Sequence, residues 1–107
     1  MSQSAYWADK PRGYAQSAAV DAATLVSSLT FTPPGENAQA GIPKGTQLLL
    51  IQPQTQAIRW RDDGIAPTAA VGYPLAVGAE LRYTGAMAAL QVISQTAGAI
   101  INVVAYG

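Results

Sequence analysis

The sequence predicts an all-β fold: a small antiparallel β-sandwich or jelly-roll-like barrel over residues 15–107, with an extended N-terminal arm over residues 1–14. Three observations carry this. Short apolar or alternating segments recur between Gly, Pro and Asp turn signals, the spacing of an all-β domain. No stretch sustains the 3.6-residue apolar period of a helix. And 107 residues, 50% of them hydrophobic, suffice for one core and no more, since the scaling of surface with mass buries about 65% of the unfolded chain's surface.

The elements follow in order. Residues 1–14 have no period of two or of 3.6, yet hold Tyr6, Trp7 and Tyr14. Large rings gain nothing from folding if left in water, so Tyr6, Trp7, Lys10, Arg12 and Tyr14 are expected to contact another subunit. The run Ala18–Ala23 is helical on propensity alone. Thr24–Phe31 is rich in β-branched residues and stops at Pro33-Pro34-Gly35, and Asn37–Gly45 reads as loop. Gln47–Gln52 is apolar on both faces, the mark of a central covered strand, with Pro53 expected to close it. Gln56–Arg61 alternates, setting Ile58 and Trp60 on one face and Arg59 and Arg61 on the other. Asp62-Asp63-Gly64 is a turn signature. Ile65–Gly78 reads as a long structured loop. Glu80–Tyr83, Ala89–Ser94 and Ala99–Tyr106 complete the strands, with Gln95–Gly98 expected as a hairpin loop between the last two. The expected core is Leu25, Leu48, Leu50, Ile58, Trp60, Leu81, Leu90, Val92, Ile101 and Val103.

Charge narrows the function. Six Lys and Arg balance six Asp and Glu, and charged residues make up 11% of the chain, against about 25% in ordinary domains. A neutral balance argues against phosphate neutralisation, so no nucleic-acid partner is expected. So sparse a charge implies that part of the surface is covered by something else. With no Cys and no His, the thiol nucleophile, the thiolate zinc site and the Ser-His-Asp triad are all absent. Met1-Ser2-Gln3-Ser4 lacks a basic signal-peptide region, and Leu48–Ile51 is too short to span a bilayer, so no membrane partner is expected. From Tyr83 to Gly107 there is no charged residue at all. Ile100, Ile101, Val103 and Val104 in that stretch place apolar side chains on both faces of one strand. Either a second layer covers both faces, or one face meets a neighbour, with Ile100 and Val104 as contact residues.

The chemistry-bearing residues are few. Asp62 and Asp63 diverge from a turn and fall short of a calcium loop's ligand count. Arg59 and Arg61 suit an anionic partner or local pairing with Asp62, Asp63 or Glu80. Trp60, Tyr73 and Tyr83 suggest an aromatic platform for a sugar, although Trp60 shares a face with Ile58 and is expected buried. Gly64, Gly72, Gly78 and Gly98 follow no phosphate-loop spacing. No catalytic constellation, metal, cofactor or small-molecule substrate is expected, and the chain is read as a non-enzyme.

Within residues 47–106, the segments Trp60-Arg61-Asp62-Asp63-Gly64, Ala66-Pro67-Thr68, Val71-Gly72-Tyr73-Pro74-Leu75 and the closing strand after Ala97-Gly98-Ala99 resemble small all-β structural proteins of tailed bacteriophages, often capsid decoration or cement proteins. The resemblance implies a virion protein made in the host cytoplasm and placed on the capsid surface. There it would bind the major capsid protein across subunit junctions, as a homo-oligomer or as lattice-bound copies. Its partner contacts would then be the arm residues, with Arg59, Arg61, Tyr73, Ile100 and Val104 on the domain. A tail or baseplate β-domain, or a carbohydrate-binding module, are the alternative readings.

Overall fold

The computed structural model describes residues 10–107. These form β1 (Pro11–Gln16), β2 (Thr24–Leu25), β3 (Thr30–Phe31), β4 (Gln39–Ala40), β5 (Leu48–Gln54), β6 (Ile58–Arg61), β7 (Tyr73–Leu75), β8 (Leu81–Tyr83), β9 (Gln91–Ser94) and β10 (Ile100–Tyr106). One four-stranded sheet has the order β1-β10-β5-β8, a second the order β2-β9-β6-β7, and β3 pairs with β4 in a small third sheet. Every strand pairing is antiparallel. The domain is all-β. Its two larger sheets share no ladder among the described residues, so they stack as separate layers instead of closing into a barrel.

β10 organises the first sheet because its alternation is complete. Ile101, Val103 and Ala105 are fully buried while Ile100, Asn102, Val104 and Tyr106 remain half-exposed. Its long ladder with β5 sets Val103 opposite Ile51 and Ala105 opposite Leu49. That register decides which side of the apolar run Leu48–Ile51 faces inward: Leu49 and Ile51 enter the core, and the expected core residue Leu50 points out beside Val104. Leu48 is buried as expected, on the outer side opposite Tyr106. Pro53 does not close the strand but lies inside it, buried. Proline is tolerated where no strand needs its N–H. β8 pairs only as far as Ile51, and the loop residue Gly78 donates its N–H to the Pro53 carbonyl at 3.0 Å.

Phe31, Val26, Ile58, Leu90 and Val92 meet Leu49, Ile51, Ile101 and Val103 in one core between the sheets, with Trp60 and Leu81 partly buried against it. Leu25, expected inside, is 40% exposed, because β2 is a two-residue edge strand that turns at once into a 3-10 turn over Val26–Ser28. That turn also breaks the expected continuous strand over Thr24–Phe31.

Other expectations are corrected by the same topology. β9 and β10 belong to different sheets, so Gln95–Gly98 crosses between layers and is not a hairpin. The loop Asn37–Gly45 contributes β4, and the loop Ile65–Gly78 contributes β7, paired to β6. Ala18–Ala23 forms no helix. Val20 instead donates to the Ala99 carbonyl at 2.9 Å and accepts from the Ser94 N–H at 2.7 Å, so tertiary hydrogen bonds override alanine's propensity. Finally, residues 11–14, expected in the arm, are strand β1, paired with β10 and tied to Thr32 on its other edge. The expected arm contacts of Tyr6 and Trp7 lie outside the described residues.

Candidate functional site

The first sheet presents its outer side to solvent, and β1, β10, β5 and β8 bring side chains there in rows. Directly opposed residues of an antiparallel pair share a face. One row runs Tyr14, Val104, Leu50, Arg82, and the next Gln16, Asn102, Gln52. Ile100 and Gln54 form a third, and Tyr106 lies opposite Leu48. Thus Tyr14, Ile100 and Val104, singled out in different parts of the sequence, occupy one surface. Arg82, on the edge strand, is the one charged residue in these rows.

The polar groups of this face largely satisfy one another. The Tyr14 hydroxyl donates to Asn102 Oδ1 at 2.7 Å, and Gln16 Nε2 donates to the same oxygen at 3.0 Å. Asn102 Nδ2 donates to Gln54 Oε1 at 3.0 Å, and Gln52 Nε2 to the Gly78 carbonyl at 3.0 Å. Such a surface can be dried without stranding many donors or acceptors. Gln16, Gln52 and Gln54 were not singled out from the sequence, and Leu50 was expected inside. The signal for the β5 residues was its alternation after the apolar run, which places Gln52 and Gln54 on the side of Leu50.

Lys10 and Arg12 sit elsewhere, at the end of the sandwich. They line a cleft of about 340 Å³ with Pro11, Pro33, Pro34, Glu36, Gln39, Pro43 and Lys44. The register shift between Pro11 and Gly13 falls at Arg12. Its Nε is shielded from solvent and has no hydrogen-bond partner among the described residues. Three cations against Glu36 make this end locally positive.

Arg61 and Tyr73 line a second cleft, and Arg59 holds the loop beside it. Among the described residues Arg59 pairs with no carboxylate. Its Nε donates to the Ala69 carbonyl at 3.1 Å and its Nη1 to the Gly72 carbonyl at 2.9 Å, pinning the β6–β7 loop. Gly72 has φ of 141°, and a Cβ there would stand 3.1 Å from that of Arg59, so the loop can pass this close only as glycine. Arg61 does pair locally, in a two-pronged contact with Asp63 at 3.1 and 2.5 Å. This bond holds the Asp63 carboxyl below its ordinary range and raises the guanidinium further. Trp60 is half-buried, with Tyr73 stacked at 5.0 Å and 33° on one side and Tyr83 edge-on at 6.0 Å on the other. Tyr73 remains 65% exposed. Arg61, Asp62, Asp63, Val71, Gly72 and Tyr73 enclose a cleft of about 360 Å³.

Beneath it, the Tyr83 hydroxyl donates to Asp62 Oδ2 at 2.7 Å. Burial, and then the Asp62 carboxylate, push the Tyr83 pKa up to about 12. A neutral phenol is therefore fixed under the cleft floor. No group of three or more metal-ligating side chains occurs among the described residues, and no helix there is long and apolar enough to cross a membrane. Compared with known proteins, the chain matches no family model, no curated protein and no solved structure.

Proposed function

We propose that this chain is a structural protein of a tailed-bacteriophage virion, a capsid decoration protein that binds across junctions between major capsid protein subunits. The observation that supports the reading is the outer side of the β1-β10-β5-β8 sheet, where Tyr14, Leu50, Ile100 and Val104 lie among side-chain amides that bond to one another. Mechanically, such a protein adds contacts that must break before the shell can expand or open, and it stabilises only the assembled state it binds.

Magnitudes shape the proposal. Strands of six, seven, seven and three residues, about 4.8 Å apart and about 3.4 Å per residue, offer roughly 400 Å² of sheet, half of the about 800 Å² per partner of a stable interface. The sheet alone therefore makes a weak site. On this reading Tyr6 and Trp7 are further partner contacts, and the positive end at Lys10, Arg12 and Lys44 steers toward an acidic neighbour. Repetition over a lattice supplies the remaining avidity.

The test is sedimentation of the purified protein with capsids that lack it, followed by cryo-microscopy. Saturable binding, with density over junctions of the major capsid protein, is expected. Deleting residues 2–9 is expected to weaken attachment while the β-domain stays folded. Density on the tail or baseplate alone, or no binding to any particle, overturns the capsid reading.

A further inference from the structure

We propose that the cleft between the Arg61–Asp63 turn and Tyr73 is a binding site for a neutral saccharide, with one pyranose ring stacked on Tyr73. The cleft shares no residue with the outer face of the β1-β10-β5-β8 sheet. A molecule docked through that face keeps this site available, and the inference does not rest on the capsid reading.

The platform is the first argument. Tyr73 is 65% exposed although it lies on an edge strand whose neighbour carries Trp60 directly opposite. The Trp60 ring backs it at 5.0 Å, so the tyrosine is held in place while much of its surface meets solvent. A fixed aromatic surface complements the C–H face of a pyranose, whose hydroxyls then point outward around the rim.

The rim is the second argument. Arg61 spends Nε and Nη2 on Asp63, and among the described residues its Nη1 makes no further hydrogen bond. Asp62 accepts from Tyr83 through Oδ2, and its Oδ1 likewise has no partner among the described residues. A guanidinium donor and a carboxylate acceptor thus line the same cleft. Hydroxyls both donate and accept, so a vicinal diol can serve the two together. One cation against two carboxylates leaves the cleft negative, which disfavours phosphorylated or acidic sugars. The volume, about 360 Å³, falls within the roughly 300–1,000 Å³ of ligand clefts.

Preorganisation is the third. Arg59 anchors the loop through the Ala69 and Gly72 carbonyls, and Thr68 and Val71 exchange backbone hydrogen bonds at 2.9 and 3.2 Å. A loop ordered before the ligand arrives loses less on binding.

Amide chemical shifts of the full chain, titrated with neutral cello-, malto- and N-acetylchito-oligosaccharides, test the proposal, with sialyllactose and choline as controls. At least one neutral sugar is expected to saturate in the millimolar range, with shifts confined to residues 61–63 and 71–73. Tyr73→Ala is expected to weaken that binding about tenfold or more, while Tyr73→Phe stays within about threefold, because stacking and not the hydroxyl carries the contact. Both variants change an exposed side chain, and an unchanged melt confirms their fold. The proposal is overturned if no neutral sugar moves those amides at its solubility limit or if Tyr73→Ala binds as well as the parent. Preferential saturation by choline or sialyllactose overturns it too.

Discussion

The hydroxyl of Tyr14 donates to Asn102 Oδ1 across 2.7 Å, joining residues 88 positions apart on adjacent strands. Tyr14 nevertheless stays 46% exposed. The bond occupies the phenol's polar end and leaves its ring in one row with Val104 and Leu50. A partner that covers this ring need not supply a donor or acceptor for the hydroxyl, so desolvation is cheap where the apolar contact is made.

Val104 stands between Tyr14 and Leu50 on that surface. Val104→Asp is expected to leave the fold intact, since the side chain is only half-buried and water can still reach a carboxylate there. On a capsid the same carboxylate would be dried without a partner, at about 2 kcal/mol or more, roughly thirtyfold in Kd. Co-sedimentation with capsids measures the loss, and a thermal melt checks the fold. Unchanged binding would move the contact surface off this sheet.

Asp21 fastens the crossing between the two sheets. Its Oδ1 accepts from the Gly98 N–H at 2.8 Å and the Ser94 hydroxyl at 2.9 Å, and Ser94 Oγ in turn accepts from the Ala99 N–H at 3.1 Å. The Gly98 bond, then the Ser94 bond, lower the Asp21 pKa below its ordinary 3.8. A lowered folded pKa contributes stability above the ordinary value and loses it as pH falls through the folded one. Asp21→Asn removes the titration, so its melting temperature should fall less steeply with pH below about 4 than that of the parent. Parallel curves for the two proteins would show that the carboxylate contributes nothing.

How much of this was legible in the sequence depends on range. Alternation is local, so Ile58 and Trp60 against Arg59 and Arg61, and the burial of Ile101 and Val103, could be read directly. The inward side of Leu48–Ile51 could not, because four apolar residues in a row carry no phase. The β10 register supplies it from fifty residues away. The layer crossing at Gln95–Gly98 was hidden for a related reason: a short polar link reads alike whether it joins strands of one sheet or of two. Ser17 and Ser94 show the same limit. They are buried polar residues whose partners, Ile101 and Asp21, lie far along the chain. For the two surfaces, the aromatic residues and Val104 could be named from the sequence. Their grouping could not, since Tyr14 joins Val104 only through strand pairing.

Tyr83 should ionise late. The Tyr83 pKa, near 12 against an ordinary 10.0, reflects a phenol that loses hydration when buried and faces the Asp62 carboxylate. Ultraviolet titration at alkaline pH is expected to show one tyrosine step near pH 12 that Tyr83→Phe abolishes and Asp62→Asn moves downward. Because the folded value is raised, the contribution to stability is whole below the ordinary 10.0 and fades as pH climbs toward the folded value. A step for Tyr83 at its ordinary pKa would mean that the contact with Asp62 is loose.

The same tyrosine is constrained from its other side by Gly85. A Cβ at Gly85 would stand 2.7 Å from the Tyr83 hydroxyl and 2.9 Å from Cζ, closer than real contacts allow. Tyr83 cannot simply swing away, because its ring is 5% exposed, packs edge-on against Trp60 and is tethered to Asp62. Gly85→Ala therefore forces either the ring or the loop to move, and overpacking of this kind costs about 1–3 kcal/mol. Denaturant unfolding measures it. Tyr83→Phe in the Gly85→Ala background removes the nearest clashing atom but leaves Cζ crowded. The double mutant should thus recover part of the loss, giving a coupling between the sites that independent effects would not show. If Gly85→Ala unfolds at the parent's denaturant concentration, the tyrosine is free to shift, and the support it gives to Trp60 and the cleft above is correspondingly weak.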